Sequence, residues 1–373
     1  MVFSILRRLI GRDDAAGEVR RVAGGRITLV GFPPSFRETS FLRGRRPQLV
    51  PIEAAVATPM RPADIRDRAS FAGGGIYDAR GRRVEAARRE ITRGVPPMRV
   101  RRSVRLDRLS PADVVGVAGT EMVYAGPALA HFGHFLLEVL SRLWWVGKLD
   151  PAGVRLVFHE AGPRGRRDAF LAKPYVGETL ALLGLDAERA VFVADAPLRF
   201  PRLLVPAPVL SLGGHAYTGF PTAYERLAAA ADPDGEPPSR ALYFSRTRIR
   251  DDRQRIANEA EVEALMRALG VEVAYPEELP FAAQIRLVRR ARLLVGCAGS
   301  ALHLAAFARP ATRVLCLDSW HNTNQLLVEH AKGLVARHLW FGSDGTHVRR
   351  EDDPVRSVDL DRVRTHTLAM LND

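Results

Sequence analysis

Tyr243-Phe244-Ser245-Arg246, Arg255-Ile256-Ala257-Asn258-Glu259 and Leu293-Leu294-Val295-Gly296-Cys297-Ala298-Gly299-Ser300-Ala301-Leu302-His303-Leu304 decide the reading of this chain, and all lie between Leu242 and Leu317. Two apolar, strand-like runs each deliver the backbone to a polar or glycine-bearing turn, and a helical pattern follows each turn. Turns of this kind, at the carboxyl ends of strands, are where α/β proteins bind phosphorylated ligands.

Outward from that stretch the alternation continues. Strands are expected over 241–245, 271–274, 292–295, 313–317 and 334–339. Helices are expected over 259–269, 281–290, 301–307 and 322–332, with a weaker one near 360–371. Strands spaced by helices in this way are the pattern of a doubly wound sheet. Upstream, Ala231-Asp232-Pro233-Asp234-Gly235-Glu236-Pro237-Pro238-Ser239 reads as a Pro/Gly/acid linker. Before it a second α/β domain is expected, with strands over 154–158, 190–193 and 202–205 and helices over 131–146, 168–183 and 217–230. Its sheet is expected to be mainly parallel. The expected organisation is therefore a basic region 1–110 packed on the first domain, an α/β domain 111–230, a linker 231–239, a second α/β domain 240–345 and a tail 346–373.

The 373 residues carry a net charge of +13. Residues 1–108 hold 24 Arg against 11 Asp and Glu, so all of the excess sits in the first third. That third reads as irregular β structure whose arginines are either a solvated surface or a face for acidic polysaccharide or phospholipid, which would place the protein at a membrane's inner face. Nucleic acid is disfavoured as a partner, because no aromatic residues interleave the arginines. Cys297 and Cys316 both fall in apolar strand-like context, as buried thiols of a reducing, cytoplasmic compartment. No apolar run reaches the roughly 18 residues that a membrane crossing needs, and residues 1–10 lack the features of a secretory signal.

Three constellations carry chemistry. On a helix, His131, His134, Glu138 and Arg142 fall at helical spacing along one face, away from Leu136, Leu137, Leu140, Leu143 and Trp144. A glutamate one turn from a histidine fixes the imidazole tautomer and raises its basicity. The spacing is not the His-Glu-x-x-His of zinc hydrolases, so no metal is assigned to it. Next, Arg246, Arg248, Arg250, Arg253 and Arg255 offer guanidinium forks to phosphate oxygens on the loop before a helix that Asn258 would cap. Last, the Gly296–Ser300 turn lets backbone approach an anion, with His303 in the following helical turn. Its spacing matches neither the dinucleotide fingerprint nor a P-loop, which argues against a nicotinamide oxidoreductase and against nucleotide hydrolysis.

Taken in order, Gly133-His134-Phe135-Leu136-Leu137-Glu138 with Arg142 and Trp144, Tyr243-Phe244-Ser245-Arg246, Arg255-Ile256-x-Asn258-Glu259, Gln284-Ile285, and Val295-Gly296-x-x-Gly299-Ser300-Ala301-Leu302-His303-Leu304 with Phe307 resemble glycosyltransferase family 61. The resemblance covers about residues 120–320. It implies a GT-B architecture, two Rossmann-like domains facing across a cleft. It also implies inverting transfer from a UDP-sugar; bacterial members sit among capsular and other surface-polysaccharide proteins. Many members, particularly eukaryotic ones, carry His in the turn where Ala298 stands here.

On this reading the nucleotide-sugar donor is held by Arg246, Arg255, Asn258, Glu259, Gly299, Ser300 and His303. His134, Glu138 or His131 would deprotonate a hydroxyl on a glycan or lipid-linked acceptor, and Arg142 would orient that acceptor. No cofactor beyond the co-substrate is expected, because the arginines and the turn supply the charge stabilisation that a divalent metal supplies in other transferases. The alternative is a non-catalytic nucleotide-sugar or glycan-binding protein that kept the fold.

Overall fold

The computed structural model describes residues 19–32, 41–44, 47–62, 71–72, 74–89, 102–161, 166–249, 256–318, 323–341 and 357–372. The first 18 residues and Arg250, Arg253 and Arg255 lie outside these. The chain divides into two compact units. The carboxy-terminal unit takes in the described parts of 1–39, 237–278 and 290–373; the central unit takes in those of 40–236 and 279–289.

The carboxy-terminal unit is built on a seven-stranded sheet. Its order is Glu272–Ala274, Arg240–Phe244, Ala291–Cys297, Arg313–Asp318, Val335–Trp340, Ile27–Val30 and Val19–Val22. All neighbours are parallel except the last pair. The strands are runs of Leu, Val and Ile because both faces are covered, as parallel sheets require. One face buries Tyr243, Leu293, Val295, Leu315 and Leu317 against Val262, Met266, Val363 and Met370. The latter pairs come from helices Glu259–Ala268 and Leu360–Asn372. Numbering the five strands from Arg240–Phe244 onward, the order is 2-1-3-4-5, a doubly wound arrangement.

Each of these strands lies within a few residues of its expected position, but two assignments to units differ from the expectation. Strands Val19–Val22 and Ile27–Val30 join the carboxy-terminal sheet through Val335–Trp340 and are not part of a module on the first domain. Helix Phe281–Arg289 clusters with the central unit because its partners are there. Phe281 meets the rings of Phe132 and Phe135, Glu178 accepts from the Ala282 N–H, and Arg289 pairs with Glu225 at 2.7 Å.

The central unit holds a mixed sheet in the order Val191–Val193, Val154–Glu160, Glu121–Ala128, Leu198–Pro206, Leu49–Thr58 and Gly75–Tyr77. The first four run parallel, Asp113–Val114 lies parallel beside Leu198–Pro206, and among the described strands of this sheet Leu49–Thr58 alone runs the other way, so the sheet is mainly parallel as expected. On one face Ala55, Ile76, Met122, Tyr124, Phe200 and Leu203 form a core. A chain of rings from Phe135, Phe158, Phe170, Tyr175 and Phe192 fixes helices Arg167–Leu171 and Pro174–Leu182. Among the described residues no helix is long and apolar enough to cross a membrane.

The basic first third is partly neutralised locally. Arg82 pairs with Asp78, Arg83 with Glu85 and Arg105 with Asp107. These exposed pairs contribute little to stability, about 0–1 kcal/mol each, but they use up charge that composition alone assigns to the surface.

Candidate functional site

In open α/β sheets a ligand crevice forms where the strand order reverses direction. In the central sheet the chain lays down Glu121–Ala128, then Val154–Glu160, then Val191–Val193 outward to one side, and then places Leu198–Pro206 on the other. The reversal lies at the carboxyl end of Glu121–Ala128. Residues 129–131 leave that strand, and the segment Phe132–Arg142 follows.

This segment is expected as a regular helix over 131–146, and it differs. It is a short α turn at Phe132–His134, a π turn at Phe135–Val139 and a 3-10 turn at Leu140–Arg142, where it stops. Phe135, Leu136, Leu137, Val139 and Leu140 are buried, and so are Glu138, Ser141 and Arg142. The segment is therefore core on its polar side too, not an amphipathic helix with a solvated stripe. π turns inside helices recur at functional sites.

A buried carboxylate needs partners, and Glu138 has two. Arg89 donates to it through Nε at 2.5 Å and Nη2 at 2.9 Å, and His134 Nδ1 lies 2.5 Å from Oε1. Burial alone would push the Glu138 carboxyl up. The Arg89 charge and hydrogen bonds outweigh that, with His134 adding to them, and hold it at about 2. Glu138 is thus a fixed anion and a weak base. Its role toward His134 is to hold Nδ1–H and leave Nε2 as the basic nitrogen. The His134 side chain is 40% exposed, so it is the member of the group that can meet a substrate. His131 is exposed and stands edge-on to His134 with ring centroids 5.1 Å apart.

Arg142, expected to contact an acceptor, is 3% exposed and engages backbone. It donates to the carbonyls of Ala86, Ala87, Arg88 and Pro206 at 2.7–3.3 Å and lies over the Tyr124 ring. Gly126 makes room for it: φ is +94°, and a Cβ there would sit 3.2 Å from the Arg142 side chain. By gripping 86–88, Arg142 fixes the segment that presents Arg89 to Glu138.

In the carboxy-terminal sheet the reversal falls between strands Arg240–Phe244 and Ala291–Cys297, where Phe244 pairs with Gly296. Two turns leave there, 245–249 and 298–301. The first is held by carboxylates. Glu259 accepts from the Arg246 backbone N–H at 2.7 Å and from the Tyr243 hydroxyl at 3.2 Å. Glu263 accepts from Ser245 and Thr247 hydroxyls, each at 2.5 Å, and from Tyr275 at 3.0 Å. Burial raises the Glu259 carboxyl. For Glu263 burial also pushes upward, but the hydroxyl donors and Arg267 win and lower it. Arg248 is drawn aside, 3.8 Å over the Tyr275 ring and paired with Glu278.

At the second turn a Cβ added at Gly296 would stand 3.4 Å from the Phe244 Cβ, in ordinary van der Waals contact, so the two strands pack closely there. Gly299 has φ +157°, and nothing lies within 4 Å of where its Cβ would stand. Backbone is thus presented to open space. The helix expected over 301–307 is a six-residue 3-10 helix, Leu302–Phe307, all of it buried. It is too short to attract an anion by its amino terminus. His303 is 5% exposed and its Nδ1 meets Gln325 at 2.9 Å.

Asn258 precedes helix Glu259–Ala268, but its side chain makes no capping bond. Its amide pairs instead with both backbone groups of Val358, at 2.9 and 3.0 Å. Arg255 lies outside the described residues.

Residues 132–315 match the family model for Glycosyltransferase 61. No curated protein matches the chain. The family 61 match supports glycosyltransferase activity and spans both reversal-point turns. It takes in His134, Glu138, Arg246 and Gly299, and it leaves out His131 and Arg89. Arg89 and Glu263 were not legible as site residues. Arg89 lies 49 positions from Glu138 in an arginine-dense region, with no spacing to mark it. The one available signal was that a carboxylate among Leu136, Leu137, Val139 and Leu140 needs a cation from elsewhere.

Proposed function

We propose that this protein is an inverting glycosyltransferase of GT-B class, moving a sugar from a UDP-sugar to a hydroxyl of a glycan acceptor in surface-polysaccharide synthesis. The observation that carries it is the His134–Glu138–Arg89 group at the reversal point of the central sheet. A histidine whose Nδ1 is held by a permanently ionised carboxylate is built to accept a proton at Nε2 and to be stabilised once it has done so.

In this reading His134 Nε2 takes the acceptor hydroxyl proton as that oxygen bonds to the anomeric carbon. The bond from the anomeric carbon to the diphosphate oxygen breaks in the same step, and the nucleoside diphosphate leaves with the electron pair. Arg246, with Arg255, meets the developing negative charge, and the Gly299–Ser300 backbone contributes hydrogen-bond donors. Glu259 and Glu263 hold the Arg246 turn, and Asn258 and Arg142 brace neighbouring segments. One displacement inverts the anomeric configuration.

Calorimetric titration of UDP-sugars against wild type and Arg246→Ala tests the donor assignment; a weaker Kd in the variant is expected, and equal affinity would overturn it. Retained configuration in the product, read by NMR, would overturn the single displacement.

A further inference from the structure

Strands Arg313–Asp318 and Val335–Trp340 run parallel with Cys316 opposite His338. Residues two apart on a strand share a face, so Cys316, Asp318 and His338 are brought to one face by register alone. There the thiol sulfur, a carboxylate oxygen and a ring nitrogen all lie within 4.8 Å of one another. Asp318 Oδ1 is 3.4 Å from Cys316 Sγ, and Oδ2 is 2.6 Å from His338 Nδ1. The three residues are 0%, 2% and 2% exposed. The other ring nitrogen, Nε2, lies 2.7 Å from Glu329, whose second oxygen accepts from Gln325.

Two buried carboxylates therefore converge on one imidazole, with a thiol beside them. We propose that Cys316, Asp318 and His338 form a site for one transition-metal ion of the zinc type. Thiolate, imidazole and carboxylate together are a zinc donor set, and thiolate excludes the harder magnesium and calcium. Glu329 accepts a hydrogen bond from the ring nitrogen that does not face the metal, as the outer carboxylate does in such sites. A water completes the coordination. On binding, the metal displaces one proton from Cys316 Sγ and one from His338 Nδ1, and its oxidation state does not change. The ion ties two adjacent strands to helix Thr323–Lys332, which carries Glu329. This site stands independently of the transferase reading.

The test is metal analysis of the full chain purified without chelator, with melting measured before and after chelation and zinc restoration. About one zinc per chain is expected, with a Tm that falls on chelation and recovers on addition of zinc. A cobalt-substituted protein should show a thiolate-to-cobalt charge-transfer band. Cys316→Ser should lose that band, and His338→Gln should lose most of the bound metal. A metal-free wild type whose Tm ignores both chelator and zinc would show a hydrogen-bonded network only and overturn the site. That outcome needs no variant, so a poorly folding substitution cannot mask it.

Discussion

The two reversal-point turns are held by different means. In the central unit a full ionic group, Arg89–Glu138–His134, is sunk into apolar surroundings and leaves one imidazole face outward. In the carboxy-terminal unit, hydroxyls and a backbone N–H close on Glu259 and Glu263, and a glycine leaves bare backbone beside them. A group that must carry a proton needs a fixed tautomer, and a buried ion pair supplies that. A surface that must admit a bulky anion needs open backbone and a shaped loop, and donors closing on Glu259 and Glu263 shape the loop while the Gly299 backbone is left bare.

The largest effect that would test this contrast is on turnover. His134→Ala should lower transfer by about 10²–10⁴-fold, the usual contribution of a positioned base, while leaving the Kd for a UDP-sugar unchanged. Steady-state rates paired with calorimetry separate the two. A variant that loses donor affinity as much as turnover would erase the distinction between the turns. His131→Ala, which leaves the His134–Glu138–Arg89 group intact, should cost far less.

The next effect is on stability. Arg89→Ala leaves Glu138 buried without its main counter-charge and should cost about 3–5 kcal/mol in chemical denaturation. Replacing both, Arg89→Met with Glu138→Gln, should recover part of that loss, because no charge is then stranded. The pH dependence has a definite sign. Glu138 is depressed in the folded state, to about 2 from an ordinary 4.5. Its contribution is full above the ordinary value and disappears as pH falls through the folded one. Acid melting of wild type should therefore steepen between pH 4.5 and 2, and Glu138→Gln should flatten that limb. Unaltered acid limbs would mean that the Arg89 pair does not hold the carboxyl down.

How far this was legible can be read from particular residues. The five strands of the carboxy-terminal sheet from Arg240–Phe244 to Val335–Trp340 were visible because runs such as Leu293-Leu294-Val295 end in turn residues and alternate with helical periods. The order 2-1-3-4-5 was not visible, because pairing partners are set by packing across the sheet and not by local pattern. Ile27–Val30 illustrates the same limit: its partner lies some three hundred residues away at Val335–Trp340, and Val19–Val22 reaches the sheet by pairing with Ile27–Val30. In the His131–Arg142 segment the spacing rightly grouped His134 with Glu138. It gave the wrong surroundings, because a polar stripe at helical period looks the same whether water or Arg89 faces it. Phe281–Arg289 was a correct helix, but its sequence neighbours could not show that Phe132 and Phe135 bury its apolar face.

The smallest effect concerns Asn258, which sequence position places among donor-binding residues and whose amide instead mimics a strand pair with Val358. Asn258→Ala removes two hydrogen bonds in a half-buried setting, each worth about 0.5–1.5 kcal/mol net. The variant should unfold at modestly lower denaturant, by roughly 1–2 kcal/mol, with the Kd for a UDP-sugar unchanged. Asn258→Asp keeps the acceptor for the Val358 N–H but gives up the donor to its carbonyl, so it should fall between wild type and Asn258→Ala. If donor affinity tracks these losses, the Asn258 amide serves the ligand as well as the chain. If only stability moves, the bracing of the carboxy-terminal helix is its whole role, and the donor contacts concentrate on Arg246 and the Gly299 turn.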